Sequence, residues 1–307
     1  MGSPQTVKKK KHIGWLLIVL LMVGGIYLHF GHLLAGLGNQ QVIEAWADGF
    51  KTYMNAWYHA QYGSSLLHFE GMNYPFGEPV LQATELPGLA LLLQGLQPLF
   101  PEIGTHVISI VHLLLLGAVF LSGLVLFQLF NKLGSSLLVA LLGAYTLTFL
   151  SPCILRMYSH FGLAQHYVIP LLLLLLIGFQ RSRRWTYSLG LCLTVVGASF
   201  LHFYFFSIGL LTIGVYFLVL LVGERSWIQR RALFVHLFGI VIIPVILFFS
   251  LLYLSDPVLD RSPSPYGFFK FRSTLAGFLI NSAHPMGSVL LQRLPELPKI
   301  ESESEVY

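Results

Sequence analysis

Long apolar runs separated by short polar segments are the feature that most constrains this chain. Of its 307 residues, 55% are hydrophobic and 10% are charged, whereas soluble domains average about 25% charged residues. A helix needs about 20 apolar residues to cross roughly 30 Å of hydrocarbon. Seven runs approach or exceed that length, at residues 13–35, 103–130, 135–150, 163–179, 186–203, 205–222 and 232–254. We therefore predict an all-α, polytopic membrane protein with about seven transmembrane helices.

Basic residues between these runs predict the orientation of the chain. They are Lys8 to Lys11, Lys132, Arg181, Arg183, Arg184, Arg225, Arg230 and Arg231. All of them fall on the cytoplasmic side if residues 1–12 are cytoplasmic and the short apolar stretch 86–100 does not cross. The first run continues without a clear cleavage site, which favours an uncleaved anchor over a signal peptide. The transmembrane domain then covers residues 13–254, and residues 255–307 form a last external segment.

The longest polar interval lies in the external loop at residues 36–102, directly after the first predicted span. Residues 42–62 of this loop have helical periodicity. One face carries Val42, Trp46, Phe50, Tyr53 and Trp57, and the other carries Asp48, Lys51 or Thr52, Asn55 and His59. Such a helix is expected to lie at the membrane interface with its polar face towards water or a cleft. The stretch 86–100 is predicted to form a second interfacial helix.

Three carboxylates of this loop are candidate catalytic residues. Asp48 can act as a general base towards an acceptor hydroxyl, or it is a solvated aspartate paired with Lys51. Glu70 begins the turn-rich sequence EGMNYPFGEP, which is typical of an ordered loop. Glu85 precedes Pro87 at the start of the second interfacial helix, where the helix dipole favours a negative charge. That position leaves a purely structural role for Glu85 equally open.

Five basic or imidazole side chains in later external segments are candidate phosphate-binding residues. Arg156 and His160 lie in the turn LRMYSHFGLAQH, His202 lies in SFLHFYFF, and Lys270 and Arg272 lie in YGFFKFR. Arginine binds phosphate through its planar guanidinium group. The alternative is that these side chains contact lipid headgroups as interfacial anchors. The two cysteines, Cys153 and Cys192, are predicted to be unpaired, and no metal-binding cysteine spacing is present.

Taken together, these segments resemble the GT-C superfamily of polytopic membrane glycosyltransferases. The resemblance rests on an uncleaved first span followed by a large external loop with an early acid, Asp48 in ADGFK. It also rests on FEGMNYPFGEPV, on the half-helix LPGLALLLQGL and on RMYSHFGLAQHYVIPL. It implies a polyprenyl-phosphate-linked sugar donor and transfer on the non-cytoplasmic face of the bacterial inner membrane. By position, Asp48 matches the catalytic base of that family, and Arg156 and His160 would lie near the donor phosphate.

The chain departs from the family pattern in two respects. Many members carry a second acid in the next external loop, whereas residues 151–162 contain none, so Glu70 or Glu85 would have to replace it. Members also usually have more spans, so the chain is expected to be an N-terminal fragment. Some relatives use a divalent metal, Mg or Mn. The expected partners are the lipid-linked donor and membrane lipids. Nucleic acid is not expected, because the net charge of +5 arises largely from the segments between spans.

Two other classes of function stay open from the residues alone. A transporter or lipid flippase typically has broken helices at the bilayer midplane and two related repeats, and no repeat is visible here. A non-catalytic membrane assembly partner would need no carboxylate cluster at all. The sequence has no Walker motif, no GxGxxG and no HExxH, which excludes the common signatures of nucleotide binding and zinc proteolysis.

Overall fold

The structure is a computed structural model that describes residues 4–38, 41–43 and 47–256. The helices of this part are α1 (Pro4–Gly36), α2 (Ala47–Tyr62), α3 (Val80–Ala83), α4 (Pro87–Leu96), α5 (Val107–Leu133), α6 (Leu137–Phe149), α7 (Cys153–Arg156), α8 (Val168–Ser182), α9 (Trp185–Ser199), α10 (Phe203–Gly223) and α11 (Trp227–Ser255). A 3-10 helix covers Pro101–His106, and two-residue strands β1 (His68–Phe69) and β2 (Glu78–Pro79) pair antiparallel. The all-α prediction is confirmed.

Each of the seven predicted spans corresponds to a helix, namely α1, α5, α6, α8, α9, α10 and α11. Within the described residues, four helical segments are long and apolar enough to cross a membrane: His12–Gly36, Pro101–Leu133, Phe203–Gly223 and Trp227–Ser255. Helices α6, α8 and α9 are also apolar but contain only 13, 15 and 15 residues. The chain therefore has the architecture of an all-α integral membrane protein, and both cysteines are free, as predicted.

Helix α5 is central to one part of the bundle and packs against α1, α6 and α8, whereas α9 packs against α8, α10 and α11. The side chains of Val111, Leu115 and Val119 on α5 are completely buried, as are Leu191 and Val195 on α9. Close packing of this kind, rather than transfer of apolar surface out of water, holds helices together in lipid.

Successive long helices run in opposite directions, so the bundle has two distinct ends. The last turns of α5 and α8 meet, because Arg181 Nη2 donates to Lys132 O at 2.5 Å. The first turn of α9 lies beside α11, where the rings of Trp185 and His236 are 4.0 Å apart. The basic residues at the ends of α5 and α8 and at the start of α11 therefore lie at the same end of the bundle, called here the basic end. Its predicted cytoplasmic location stays a prediction.

Helices α2, α3 and α4 pack together at the opposite end, in the connection between α1 and α5. Helix α4 has ten residues and is therefore about 15 Å long, half of what a membrane crossing requires. Gln94 Nε2 holds it beside the end of α2 by donating to Gly63 O at 2.9 Å and to Ser65 O at 3.2 Å.

The predicted start of α2 was wrong, because the helix begins at Ala47 and not at Val42. Of the two surroundings predicted for its polar face, water or a cleft, the part beyond Asp48 does not face water, because Thr52, Asn55 and His59 are buried. Residues 63–86 fold over this face and supply backbone acceptors: Asn55 Nδ2 donates to Ala83 O, and His59 Nε2 lies 3.1 Å from Leu66 O. These buried polar groups bind the loop to the helix.

Candidate functional site

Asp48 occupies the first turn of α2, where the positive end of the helix dipole favours a carboxylate. The helix is fixed to the bundle one and a half turns later by Tyr53, whose hydroxyl lies 2.8 Å from His112 Nε2 on α5. Burial raises the pKa of Tyr53, so the phenol keeps its proton. The Tyr53 ring also packs edge-on against Phe161 at 5.1 Å, which places Asp48 next to the turn that contains His160.

Asp48, Glu85 and His160 form one cluster, although they are far apart in sequence. His160 Nδ1 lies 2.7 Å from Glu85 Oε1 and 3.4 Å from Asp48 Oδ2. The Glu85 side chain is 13% exposed and the Asp48 side chain is 53% exposed. Burial raises the pKa of Glu85, while the hydrogen bond from His160 acts against that shift. The cluster therefore has a buried carboxyl paired with an imidazole and an accessible carboxylate beside them.

Two glycines allow three loops to meet at this cluster. A Cβ atom on Gly162 would lie 2.4 Å from Glu85 O and 2.9 Å from Leu201 O, which no larger residue can accommodate without movement. The Gly162 N–H also faces Glu85 Oε2 at 3.5 Å. Similarly, Gly88 N donates to Phe200 O at 2.8 Å, and a Cβ on Gly88 would approach that same carbonyl to 2.9 Å. Close backbone contact thus brings the segments before α4, before α8 and before α10 together.

His202 is the fourth member of the site and caps the N-terminus of α10. Its Nδ1 accepts a hydrogen bond from Tyr204 N at 3.1 Å, so the proton of the neutral ring is on Nε2. Burial, followed by the charge of His160, lowers the pKa of His202 to about 4, with Asp48 acting in the opposite direction. His202 is therefore neutral at pH 7 and offers an N–H donor.

The cluster borders an open cavity of about 510 Å³. Its polar wall contains Asp48, Lys51, Glu85 and His202, together with Gln82 and Thr84. Its apolar wall is formed by Leu81 and Pro87 and by the facing ends of α10 and α11, through Phe203, Phe248, Phe249 and Leu252. A ligand in this cavity would meet carboxylates and a lysine on one side and aromatic rings on the other, a combination suited to an amphipathic molecule.

The donor atoms of Asp48, Glu85 and His160 fit a divalent cation. One ligand atom from each residue lies within 4.8 Å of the others. Two carboxylates with one imidazole suit Mn²⁺ better than Mg²⁺, which prefers oxygen ligands alone. The proton between His160 Nδ1 and Glu85 Oε1 would have to leave, because a metal requires the deprotonated nitrogen. The three residues therefore fit a manganese ion.

Two other sequence candidates among the described residues, Glu70 and Arg156, do not line this cavity. Glu70 Oε1 accepts a hydrogen bond from Ser64 Oγ at 2.5 Å in an exposed turn after α2. Arg156 ends α7, where its carbonyl accepts from His160 N at 2.8 Å, and it is not among the described residues that line the cavity. Lys270 and Arg272 lie outside the described residues.

Sequence reasoning missed several parts of the site. The sequence gives Lys51 no role in phosphate binding, although its position three residues after Asp48 on α2 places both on the same side of the helix, where both line the cavity. The predicted span at 163–179 also began too early, since α8 begins at Val168 and the preceding residues form turns that contact Glu85. Gly162 is the sequence feature that could have predicted this close backbone contact, because only glycine fits there without movement.

Comparison with known proteins gives a family for the chain but no activity. The model of a domain of unknown function, DUF6311, matches residues 12–307. The chain belongs to the DUF6311 family. No curated protein and no solved structure matches it significantly. The matched region includes Asp48, Glu85, His160 and His202, so the whole candidate site lies within the DUF6311 domain.

Proposed function

We propose that this DUF6311 protein is a membrane glycosyltransferase that uses a polyprenyl-phosphate-linked sugar donor. The observation that carries the proposal is a single cavity in which Asp48, Glu85 and Lys51 face the aromatic ends of α10 and α11. Sugar transfer from a lipid carrier needs a base for the acceptor, a cation for the leaving phosphate and an apolar surface for the chain. Each of these is available within this cavity.

Asp48 is the general base in this mechanism because its carboxylate is the accessible one. It takes the proton of the acceptor hydroxyl as that oxygen attacks the anomeric carbon of the donor sugar. The bond from this carbon to the lipid phosphate breaks, and the electron pair leaves with the phosphate oxygen. The displacement inverts the anomeric configuration.

Lys51 and His202 stabilise the charge that develops on the departing phosphate. Both line the cavity, and a neutral His202 can donate its Nε2 proton as a hydrogen bond. Glu85 acts through His160, whose ring it holds beside Asp48. A bound Mg or Mn ion would supply a Lewis acid for the phosphate oxygens at this position.

The polyprenyl chain lies along the apolar wall between α10 and α11 and extends into the bilayer. The acceptor and the sugar approach from the water side of α2 and α4. If the basic end faces the cytoplasm, as the positive-inside rule predicts, the site lies at the outer face of the bacterial inner membrane.

The proposal is tested by donor turnover in proteoliposomes. Purified protein is mixed with undecaprenyl phosphate carrying a radiolabelled hexose and with an envelope extract as the source of acceptors. The transfer of label out of the lipid fraction is measured. We expect Asp48→Asn to lower the rate by about 10²–10⁴-fold, as for loss of a general base. Glu102→Gln is the matched control, since Glu102 is an exposed carboxylate in the same external loop.

Two results would contradict this proposal, the first its mechanism and the second its reaction. Equal transfer by Asp48→Asn and the wild type removes Asp48 from the mechanism. Movement of the labelled lipid between leaflets without cleavage identifies a flippase instead.

A further inference from the structure

A second cavity, of about 460 Å³, lies at the basic end of the bundle. It is formed by four helices: the beginning of α1, the last turns of α5, the first residue of α6 and the end of α8. Trp15, Phe127 and Leu137 make its apolar floor, and Lys132 and Arg181 are its charged lining residues. No step of the proposed sugar transfer uses this cavity.

Each of these two cations contacts a backbone carbonyl group. Arg181 Nη2 donates to Lys132 O at 2.5 Å, and Lys132 Nζ lies 3.5 Å from Leu174 O and 4.8 Å from the centre of the Tyr187 ring. Neither cation forms an ion pair with a carboxylate of a described residue. Since both residues line the same cavity, an anion bound there would be attracted by two positive charges.

Two neighbouring arginines lie outside the cavity, so the cavity does not simply collect every basic residue at this end. Arg183 lies over the Phe179 ring at 5.3 Å, and Arg184 is exposed at the start of α9. Neither is among the described residues that line the cavity. Lys132, Arg181, Arg183 and Arg184 all add positive charge at the basic end. Of these four, Lys132 and Arg181 line the cavity with the apolar floor.

The position of the cavity along the bundle indicates that the anion is a lipid headgroup. Along α5, Lys132 lies twenty residues after His112, which contacts α2 at the opposite end. At 1.5 Å per residue this is roughly 30 Å, the thickness of the hydrocarbon core. The cavity is therefore at the headgroup level of the leaflet opposite the Asp48 cluster. Its floor continues onto exposed apolar side chains such as Leu16 and Leu138, where acyl chains would lie.

We propose that this cavity binds an anionic phospholipid, with the headgroup phosphate held by Lys132 and Arg181. The indole of Trp15 and the ring of Phe127, which pack edge-on at 5.2 Å, contact the glycerol backbone and the upper acyl chain. Gln128 and Asn131 provide amide groups beside the phosphate. Pockets of basic residues between transmembrane helices recognise anionic headgroups in this way.

The test is lipid binding by the full chain in neutral detergent, measured by native mass spectrometry. Delipidated protein is titrated with phosphatidylglycerol and, separately, with phosphatidylcholine. We expect a phosphatidylglycerol complex at lower lipid concentration than the phosphatidylcholine complex. Lys132→Gln and Arg181→Gln should each weaken phosphatidylglycerol binding roughly five-fold, and the double variant more. Arg184→Gln makes the same charge change outside the cavity and should leave binding unaltered.

Three outcomes would overturn the proposal. Equal binding of the two lipids would exclude headgroup recognition. A loss with Arg184→Gln as large as with Arg181→Gln would show a diffuse charge effect. Displacement of phosphatidylglycerol by millimolar inorganic phosphate would identify a free phosphate site, because the floor would then contribute nothing. Elution profiles and melting temperatures of the variants verify that they are folded.

Discussion

The two ends of the helix bundle are constructed differently. The Asp48 cluster combines residues 48, 85, 160 and 202, which come from three connections and meet because Gly88 and Gly162 permit close backbone contact. The basic end takes its charges from the last turns of α5 and α8 and the first turn of α11, each within a few residues of a helix terminus. One end therefore depends on long-range packing and the other on local sequence.

This difference determines how each end should respond to substitution. Removing a charge at the basic end should weaken the proposed interaction with lipid and leave the helix termini where they are. At the Asp48 cluster, a change of one small residue can separate groups that must act together. The predictions below test that contrast, beginning with the largest effect.

Gly162→Val should have the largest effect. The new Cβ would lie 2.4 Å from Glu85 O and 2.7 Å from His202 Cδ2, so the two neighbouring loops must separate. Overpacking of this kind costs about 1–3 kcal/mol, and we expect more than about 100-fold loss of sugar transfer, as when catalytic groups are misplaced. Far-UV circular dichroism should show that the helices persist.

Gly197→Ala is the matched control for that substitution. Gly197 lies on α9, and a Cβ there meets nothing within 4 Å. Alanine in a helix is favoured over glycine by about 1 kcal/mol, so stability and activity should be kept or improved. Normal activity of Gly162→Val would mean that the three loops need not converge.

The next largest effect should be on metal binding at the Asp48 cluster. In Mn²⁺ titrations followed by electron paramagnetic resonance, we expect one site in the wild type and about 10–100-fold weaker binding in His160→Ala, a loss of the size found when metal sites lose a supporting group. Affinity should rise with pH, because a metal binds the deprotonated forms of its ligands. Glu102→Gln should bind as the wild type does. Unchanged Mn²⁺ binding by His160→Ala would remove this residue from the site.

Much of the architecture followed from the sequence, whereas little of the site geometry did. The spans were predictable because each apolar run carries its own signal, as in α10 and α11. The meeting of Glu85 with His160 was not, since the contact joins residues 75 positions apart and depends on loop packing. Glu70 and Glu85 had equal standing as partner acids in the sequence, and only the folded loop distinguishes an exposed turn from a buried cavity wall.

The loss of stability at acidic pH should depend on His202. Its folded pKa of about 4 lies below the ordinary value of 6.5, because the buried ring resists protonation. The unfolded chain takes up this proton first, so stability is complete above pH 6.5 and falls between pH 6.5 and 4, by at most about 1.4 kcal/mol per pH unit. His202→Asn can retain the cap of α10 and should reduce the fall in melting temperature over this range. His106→Asn, at an exposed histidine, should not.

Glu70→Gln should have the smallest effect and is the sharpest test of how the loop is folded. Glu70 is exposed and bound to Ser64, so its neutral analogue can accept the same hydrogen bond. We expect transfer rates within about two-fold of the wild type, since a surface substitution outside the site usually costs less than 0.5 kcal/mol. Glu85→Gln, by contrast, should lower the rate because His160 loses its charged partner. If Glu70→Gln were the more damaging of the two, Glu70 would reach the substrate in the working protein, and the loop after α2 would have to close over the cavity.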